Sequence, residues 1–194
     1  MKLREQLFHY RSYTPLPFLA VMIWYAHPTA QTLLIGGAVT LAGELVRYWG
    51  VAYAGGLTRV TTVGAPEVVV AGPYAYVRNP LYLGNIVMYL GIGIMSNALL
   101  PWLPIVAGAY FAFQYSMIVS LEEEFLEREF GAAFLEFKKN VPRFVPRVAR
   151  YKSPVQESQK PNWSGALRSE RRTLQALVLT ALILLVLWYR GQEW

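Results

Sequence analysis

Apolar stretches separated by short polar breaks run almost the length of this chain. The longest charge-free run extends from Asn79 to Leu121. A bilayer core takes about 20 apolar residues per helix, so this run holds two spans and a turn. The predicted helices are Pro80–Met95 and Leu99–Ser120, with Ser96-Asn97 as the turn and Pro101 and Pro104 in the first turns of the second, where proline is tolerated. Upstream, an apolar stretch at Pro15–Ala26 begins near Ser12 and ends at His27-Pro28. A second stretch runs from about Thr29 to Tyr53 and stops at Gly55-Gly56. Glu44 and Arg47 lie inside it, three apart and hence on one helical face. They are either a mutually neutralised pair near the headgroups or a polar cavity lining. Gly36-Gly37 and Gly43 on the same helix predict close backbone packing.

Beyond Leu121 the pattern changes. Leu121, Phe125, Phe130, Phe134 and Phe137 recur at helical spacing with acids and bases between them, which predicts an amphipathic helix at the membrane surface. Residues 151–165, rich in Ser, Gln, Pro and Lys, read as a linker. Thr173–Tyr189 is charge-free and just long enough to span at about 1.5 Å per residue. The expected fold is therefore all-α, an integral membrane protein of five transmembrane helices plus a cytoplasmic amphipathic helix. Its expected divisions are a core at 1–150, a linker at 151–172 and a last span at 173–190. Lysine and arginine gather before the first span (Lys2, Arg4, Arg11), between the second and third (Arg59, Arg78) and between the fourth and fifth. The loops at 27–32 and 96–100 have none. The positive-inside rule then puts the N-terminus in the cytoplasm, in a multi-pass protein of the cytoplasmic membrane.

Composition agrees. Of 194 residues 55% are hydrophobic and 15% charged, against roughly 25% charged in soluble domains. There is no cysteine, which excludes disulfides, a thiol nucleophile and cysteine-held metal centres; no metal site is expected. The net charge of +6 fits attraction to anionic headgroups rather than nucleic acid, because the basic residues flank spans and form no separate domain. The N-terminus shows no cleavable signal pattern, since Arg11, Pro15 and Pro17 interrupt it.

Two polar motifs bracket the charge-free hairpin. Before it stands Gly72-Pro-Tyr-Ala-Tyr-Val-Arg-Asn-Pro-Leu-Tyr82. After it comes Glu122-Glu-Glu-Phe-Leu-Glu-Arg-Glu-Phe-Gly131, followed by Val141-Pro-Arg-Phe-Val-Pro146. A hairpin returns to the side it left, so both motifs should meet on one face. Gly72-Pro73 makes a turn, Asn79 caps a helix that Pro80 begins, and a helix start beside Arg78 suits an anion. The same residues also fit an interfacial aromatic belt with a snorkelling arginine. Glu122 and Glu123, at the end of a span near tyrosine rings, suit a cation as well as a solvated helix face. A zwitterion with an extra cationic centre, such as S-adenosylmethionine, matches both motifs. Val141–Pro146 is either a plain helix stop or a rigid segment folded over a cavity.

These motifs resemble the isoprenylcysteine carboxyl methyltransferase family, to which phospholipid methyltransferases are related. The resemblance covers roughly residues 40–147. It implies an S-adenosylmethionine-dependent membrane methyltransferase whose active site faces the cytoplasm. The cofactor contacts it implies are Pro66, Glu67, Val68, Val69, Tyr74, Asn79, Pro80, Leu81, Tyr82 and Glu122, beside Gly72 and Arg78 of the first motif. The chain departs from the family at two places: Asn79 stands where histidine is usual, and Ile118 where the carboxyl methyltransferases carry arginine. The acceptor is then a lipid or lipid-like amine, phenol or thiol as readily as a carboxylate, with Glu123 the candidate base for an amine. Two alternatives stand beside this one: an NADPH-dependent enzyme of sterol-reductase type, against which the Glu122–Glu124 cluster argues, and a non-catalytic membrane adaptor.

Overall fold

The computed structural model describes residues 3–55, 64 and 66–191, and among these it is helical with no strand. Six α-helices follow one another: α1 Leu3–Tyr10, α2 Pro15–Trp24, α3 Ala30–Ala54, α4 Pro80–Ser96, α5 Trp102–Asn140 and α6 Trp163–Gly191, with 3₁₀ turns at Gly72–Ala75 and Pro154–Glu157. Lys2, Gly56 and Arg59 lie outside the described residues. Helices α5 and α6 are long and apolar enough to cross a membrane; α2 and α4 are shorter apolar helices.

The hairpin forms where the charge-free run predicts it. α4 begins at Pro80, and the chain turns after Ser96, whose hydroxyl donates to the Gly93 carbonyl at 2.9 Å and accepts from the Ala98 amide at 3.2 Å. α5 then continues through Glu122–Glu124 without interruption. It breaks at Gly131, with φ 48° and ψ −121°. Span and amphipathic segment are thus one rod up to that glycine. α1 had no signal in the hydrophobic pattern. α6 starts ten residues before the expected span because Asn162 caps it: its Oδ1 accepts from the Gly165 amide at 2.8 Å and its carbonyl from the Ala166 amide at 2.9 Å.

The chain divides into two compact units. One contains Tyr10–Leu45, Gly84–Gln114 and Arg171–Trp194. Small residues let backbones approach closely here. A Cβ on Gly36 would stand 2.3 Å from the Met95 amide nitrogen, and one on Gly43 2.5 Å from that of Met88. Phe18, Tyr89, Tyr110 and Phe111 pack as an aromatic cluster, with Tyr89 stacked on Phe111 at 4.9 Å. The other unit contains Met1–His9, Val46–Leu83 and Tyr115–Glu170. Its apolar centre is Val70, Tyr74, Phe134, Phe137 and Val141, with Val68, Val69, Leu126, Phe130 and Tyr151 against it. The aromatic stripe of the second motif thus supplies core to the region that holds the first. Arg47 pairs with Glu170 of α6 at 2.7 Å, a partner the local spacing of Glu44 and Arg47 does not reveal.

Candidate active site

Every residue singled out from the two motifs lies in this second unit. Glu123 is its electrostatic centre. Its Oε1 accepts from Arg78 Nη2 at 2.9 Å and Nε at 3.1 Å, and from Arg143 Nε at 3.2 Å; Oε2 accepts from Arg143 Nη2. Glu123 is buried and the Arg78 side chain is 9% exposed, while the Arg143 side chain keeps 35% of its surface exposed. A buried carboxylate between two guanidiniums is a charge-assisted clamp. A proton-abstracting Glu123 would have to give up one of these partners.

Arg78 is also committed elsewhere. Its Nη1 donates to the Lys138 carbonyl at 2.9 Å and to the Val141 carbonyl. All three of its guanidinium nitrogens therefore satisfy protein acceptors, and Arg78 fastens the end of α5 to the start of α4. The Val141–Pro146 segment folds back on the first motif, as a rigid segment would. The Arg78 amide donates to the Pro142 carbonyl at 2.9 Å, the Arg147 amide to Tyr76 and the Tyr151 amide to Ala75, both at 3.0 Å. Asn79 takes the cap position by its main chain, its carbonyl accepting from the Leu83 amide at 3.1 Å. Its side chain instead donates to the Arg143 carbonyl at 3.1 Å.

Beside the clamp, the Tyr82 hydroxyl donates to Glu122 Oε1 at 2.8 Å, and the Tyr82 ring lies 4.7 Å from that of Tyr115. Successive residues of α5 thus face different tasks: Glu122 meets a tyrosine, Glu123 meets two arginines. Burial raises the Tyr74 phenol well above its ordinary value; the Glu122 charge adds to this and Arg47 opposes it. Pro80 is buried, and Leu81 packs where a Cβ on Gly50 would come within 2.8 Å. Gly72 has φ +60°, and the Tyr53 ring lies so near that a Cβ would stand 2.3 Å from it. Conformation and space both require glycine there.

The Pro66–Val69 stretch is held from an unforeseen direction. Gln159 bonds to Glu67 and to the main chain of Val68, Val70 and Ala71, and Gln156 to the main chain of Val70. Both glutamines sit in what the composition marks as a linker. Arg143 was visible inside a quoted motif, but nothing in the spacing tied it to Glu123.

The chain belongs to the phospholipid methyltransferase family, whose model matches residues 31–133. It is similar to the cobalt-zinc-cadmium resistance protein CzcN of Cupriavidus metallidurans, 30% identical over 129 residues, covering 66% of this chain and 54% of the relative. It is likewise similar to the nickel-cobalt-cadmium resistance protein NccN of Alcaligenes xylosoxydans xylosoxydans, 30% identical over 125 residues, 64% of this chain and 54% of the relative. The chain thus spans about half the length of these curated relatives. No solved structure matches it. The family, with two helices able to cross a membrane, points to a membrane methyltransferase.

Proposed function

We propose that this chain is a five-span membrane enzyme, N-terminus in the cytoplasm, that uses S-adenosylmethionine to methylate a lipid or lipid-like acceptor. The observation that supports this best is the Tyr82–Glu122 hydrogen bond beside the Glu123 clamp. It joins two motifs forty positions apart in a chain of a methyltransferase family.

The donor set fits the cofactor. Glu122 and the Tyr82 and Tyr115 rings suit its ammonium and sulfonium charges. The partly exposed Arg143 guanidinium suits its carboxylate. Tyr74, the Pro66–Val69 stretch and Asn79–Leu81 complete the walls. The cofactor, when bound, supplies an electrophilic methyl group. The protein's part is to bind, orient and exclude water, which for an in-line displacement provides most of the acceleration. Glu123 enters as the group that fixes Arg78 and Arg143. As a base for an amine acceptor it would act only after one of them swings away. If the metal resistance in the relatives' names extends to this chain, a methylated membrane component would be its product-level link.

The test is transfer of radiolabelled methyl from S-adenosylmethionine to a total membrane lipid extract, with the labelled product identified, alongside calorimetric titration with S-adenosylhomocysteine. Labelled lipid and saturable binding are expected. Well-folded protein that neither binds nor transfers overturns the proposal. NADPH oxidation in the same extract would favour the reductase alternative.

A further inference from the structure

Residues 151–170 lie beyond the part of the chain that the family match covers, yet two of their polar side chains, Gln156 and Gln159, converge on one target. Gln159 Oε1 accepts from the Val70 amide at 2.9 Å and the Ala71 amide at 3.1 Å. Its Nε2 donates to the Val68 carbonyl at 2.9 Å and to Glu67 Oε2 at 3.0 Å. A side-chain amide has two donors and an oxygen with two lone pairs, so Gln159 is saturated by this one segment. Gln156 Nε2 adds a bond to the Val70 carbonyl at 2.8 Å and is itself tied to the Tyr151 carbonyl at 2.9 Å.

The need for these bonds comes from the sequence they hold. Val68-Val-Val70 is β-branched and prefers extended backbone, and extended backbone needs partners for its amides and carbonyls. In a sheet a neighbouring strand provides them. No strand occurs among the described residues, and here two glutamine side chains take that place. Val70 and Ala71 are thereby kept in the core, one residue before the Gly72–Ala75 turn that carries Tyr74. The supporting stretch is anchored at its far end too: the Asn162 amide donates to the Ala52 carbonyl at 2.7 Å, and Glu170 pairs with Arg47.

We propose that Gln159, seconded by Gln156, is a positioning residue for the cofactor site: it fixes the Glu67–Ala71 stretch so that this wall and Tyr74 are already in place before the cofactor arrives. This rests on the proposed function above. Gln159 touches no reacting atom; it acts through the segment it holds.

The experiment uses the full chain in detergent or nanodiscs and compares wild type with Gln159→Ala. Three quantities are read: the dissociation constant for S-adenosylhomocysteine, KM for S-adenosylmethionine against kcat, and hydrogen exchange at the Val70 and Ala71 amides. Loss of more than one neutral hydrogen bond should raise the dissociation constant and KM about tenfold or more. The same substitution should speed exchange at those two amides and leave kcat within a few-fold. Faster exchange with unchanged binding and KM overturns the proposal, because the segment would then be uncoupled from the site. A fall in kcat matched by a general loss of melting temperature, with KM unmoved, also overturns it, leaving Gln159 only a structural part. Should Gln159→Ala fail to fold, Gln159→Glu keeps the acceptor for Val70 and Ala71, loses the donors and faces Glu67; a smaller rise in KM is then expected, and none overturns the proposal. If wild type itself binds no S-adenosylhomocysteine, the proposed function fails first and this inference falls with it; a wild type that binds, with variants that bind equally well, sinks the inference alone.

Discussion

Helices α3, α4, α5 and α6 each contribute residues to both units of this protein, yet inside each unit a different kind of contact stands out. In the unit that contains Gly84–Gln114, contact is made by removing side chains. Gly36 faces Gly91 and Met95, Gly43 faces Gly84 and Met88, and Gly91 in turn faces Thr40. Such packing needs no water and no polar partner, which suits helices in an apolar solvent. In the unit that contains the motifs, directional bonds are added around an apolar centre: Arg78, Arg143 and Glu123, Tyr82 with Glu122, Gln159 with Val68–Ala71. Close packing fixes how near two helices come. Directional bonds fix where individual atoms stand, which is what a binding site requires. The character of one helix therefore changes along its length, from Pro80–Leu83, with Arg78 just ahead, to the glycine-bearing remainder of α4.

The directional contacts depend most heavily on Glu123. Glu123→Gln leaves the buried Arg78 without its counter-charge, and breaking a buried pair from one side costs about 3–5 kcal/mol. A large drop in denaturant stability, or failure to accumulate folded protein, is expected; a near-native melt would show that the clamp is not what holds this unit. Next comes Gly36→Ala, whose Cβ would meet Met95 and the Gly91 carbonyl at 2.6 Å or less. Overpacking of this kind costs about 1–3 kcal/mol. The adjacent Gly37→Ala, with nothing within 4 Å, should be neutral or slightly stabilising, since alanine is the better helix former. Equal thermal shifts for the two neighbours would refute the packing account.

Glu122→Gln and Tyr82→Phe act on ligand binding within the same unit. Each should weaken S-adenosylhomocysteine binding by about 1–3 kcal/mol while changing the melting temperature little, the reverse of Glu123→Gln. The smallest effect concerns Tyr74. Its folded-state pKa is raised, so its contribution to stability is complete below the ordinary tyrosine value of about 10 and is lost as pH rises beyond that. Tyr74→Phe should therefore lose less stability than wild type between about pH 10 and 12, with the two matched in slope near neutrality. Parallel pH curves throughout would remove Tyr74 from the list of buried phenols that matter.

What the sequence made legible follows from the kind of interaction involved. The hairpin could be read because absence of charge over Asn79–Leu121 is a property of the chain itself. Both ends of α4 could be read because Pro80 and the Ser96-Asn97 turn are local signals. The meeting of Tyr82 with Glu122 was foreshadowed by the hairpin's return. The early start of α6 lies outside the charge-free pattern, because its signal is the Asn162 cap. The partners of Glu123 escaped for another reason: Arg78 is 45 positions away and Arg143 is 20, and no periodicity links them. Gln156 and Gln159 were hidden more thoroughly, since glutamine in a Ser-, Pro- and Lys-rich stretch looks like solvated chain until the unpaired backbone of Val68–Ala71 is placed beside it.

The bend at Gly131 has a consequence for everything downstream of it. A side chain would find open room at that position, yet the backbone there adopts angles that an ordinary L-residue resists. Replacing this glycine would leave no clash to relieve. An alanine there would have to hold those angles at a cost of about 1–3 kcal/mol, which the contacts made beyond the hinge by Arg143, Gln159 and Glu170 would have to bear.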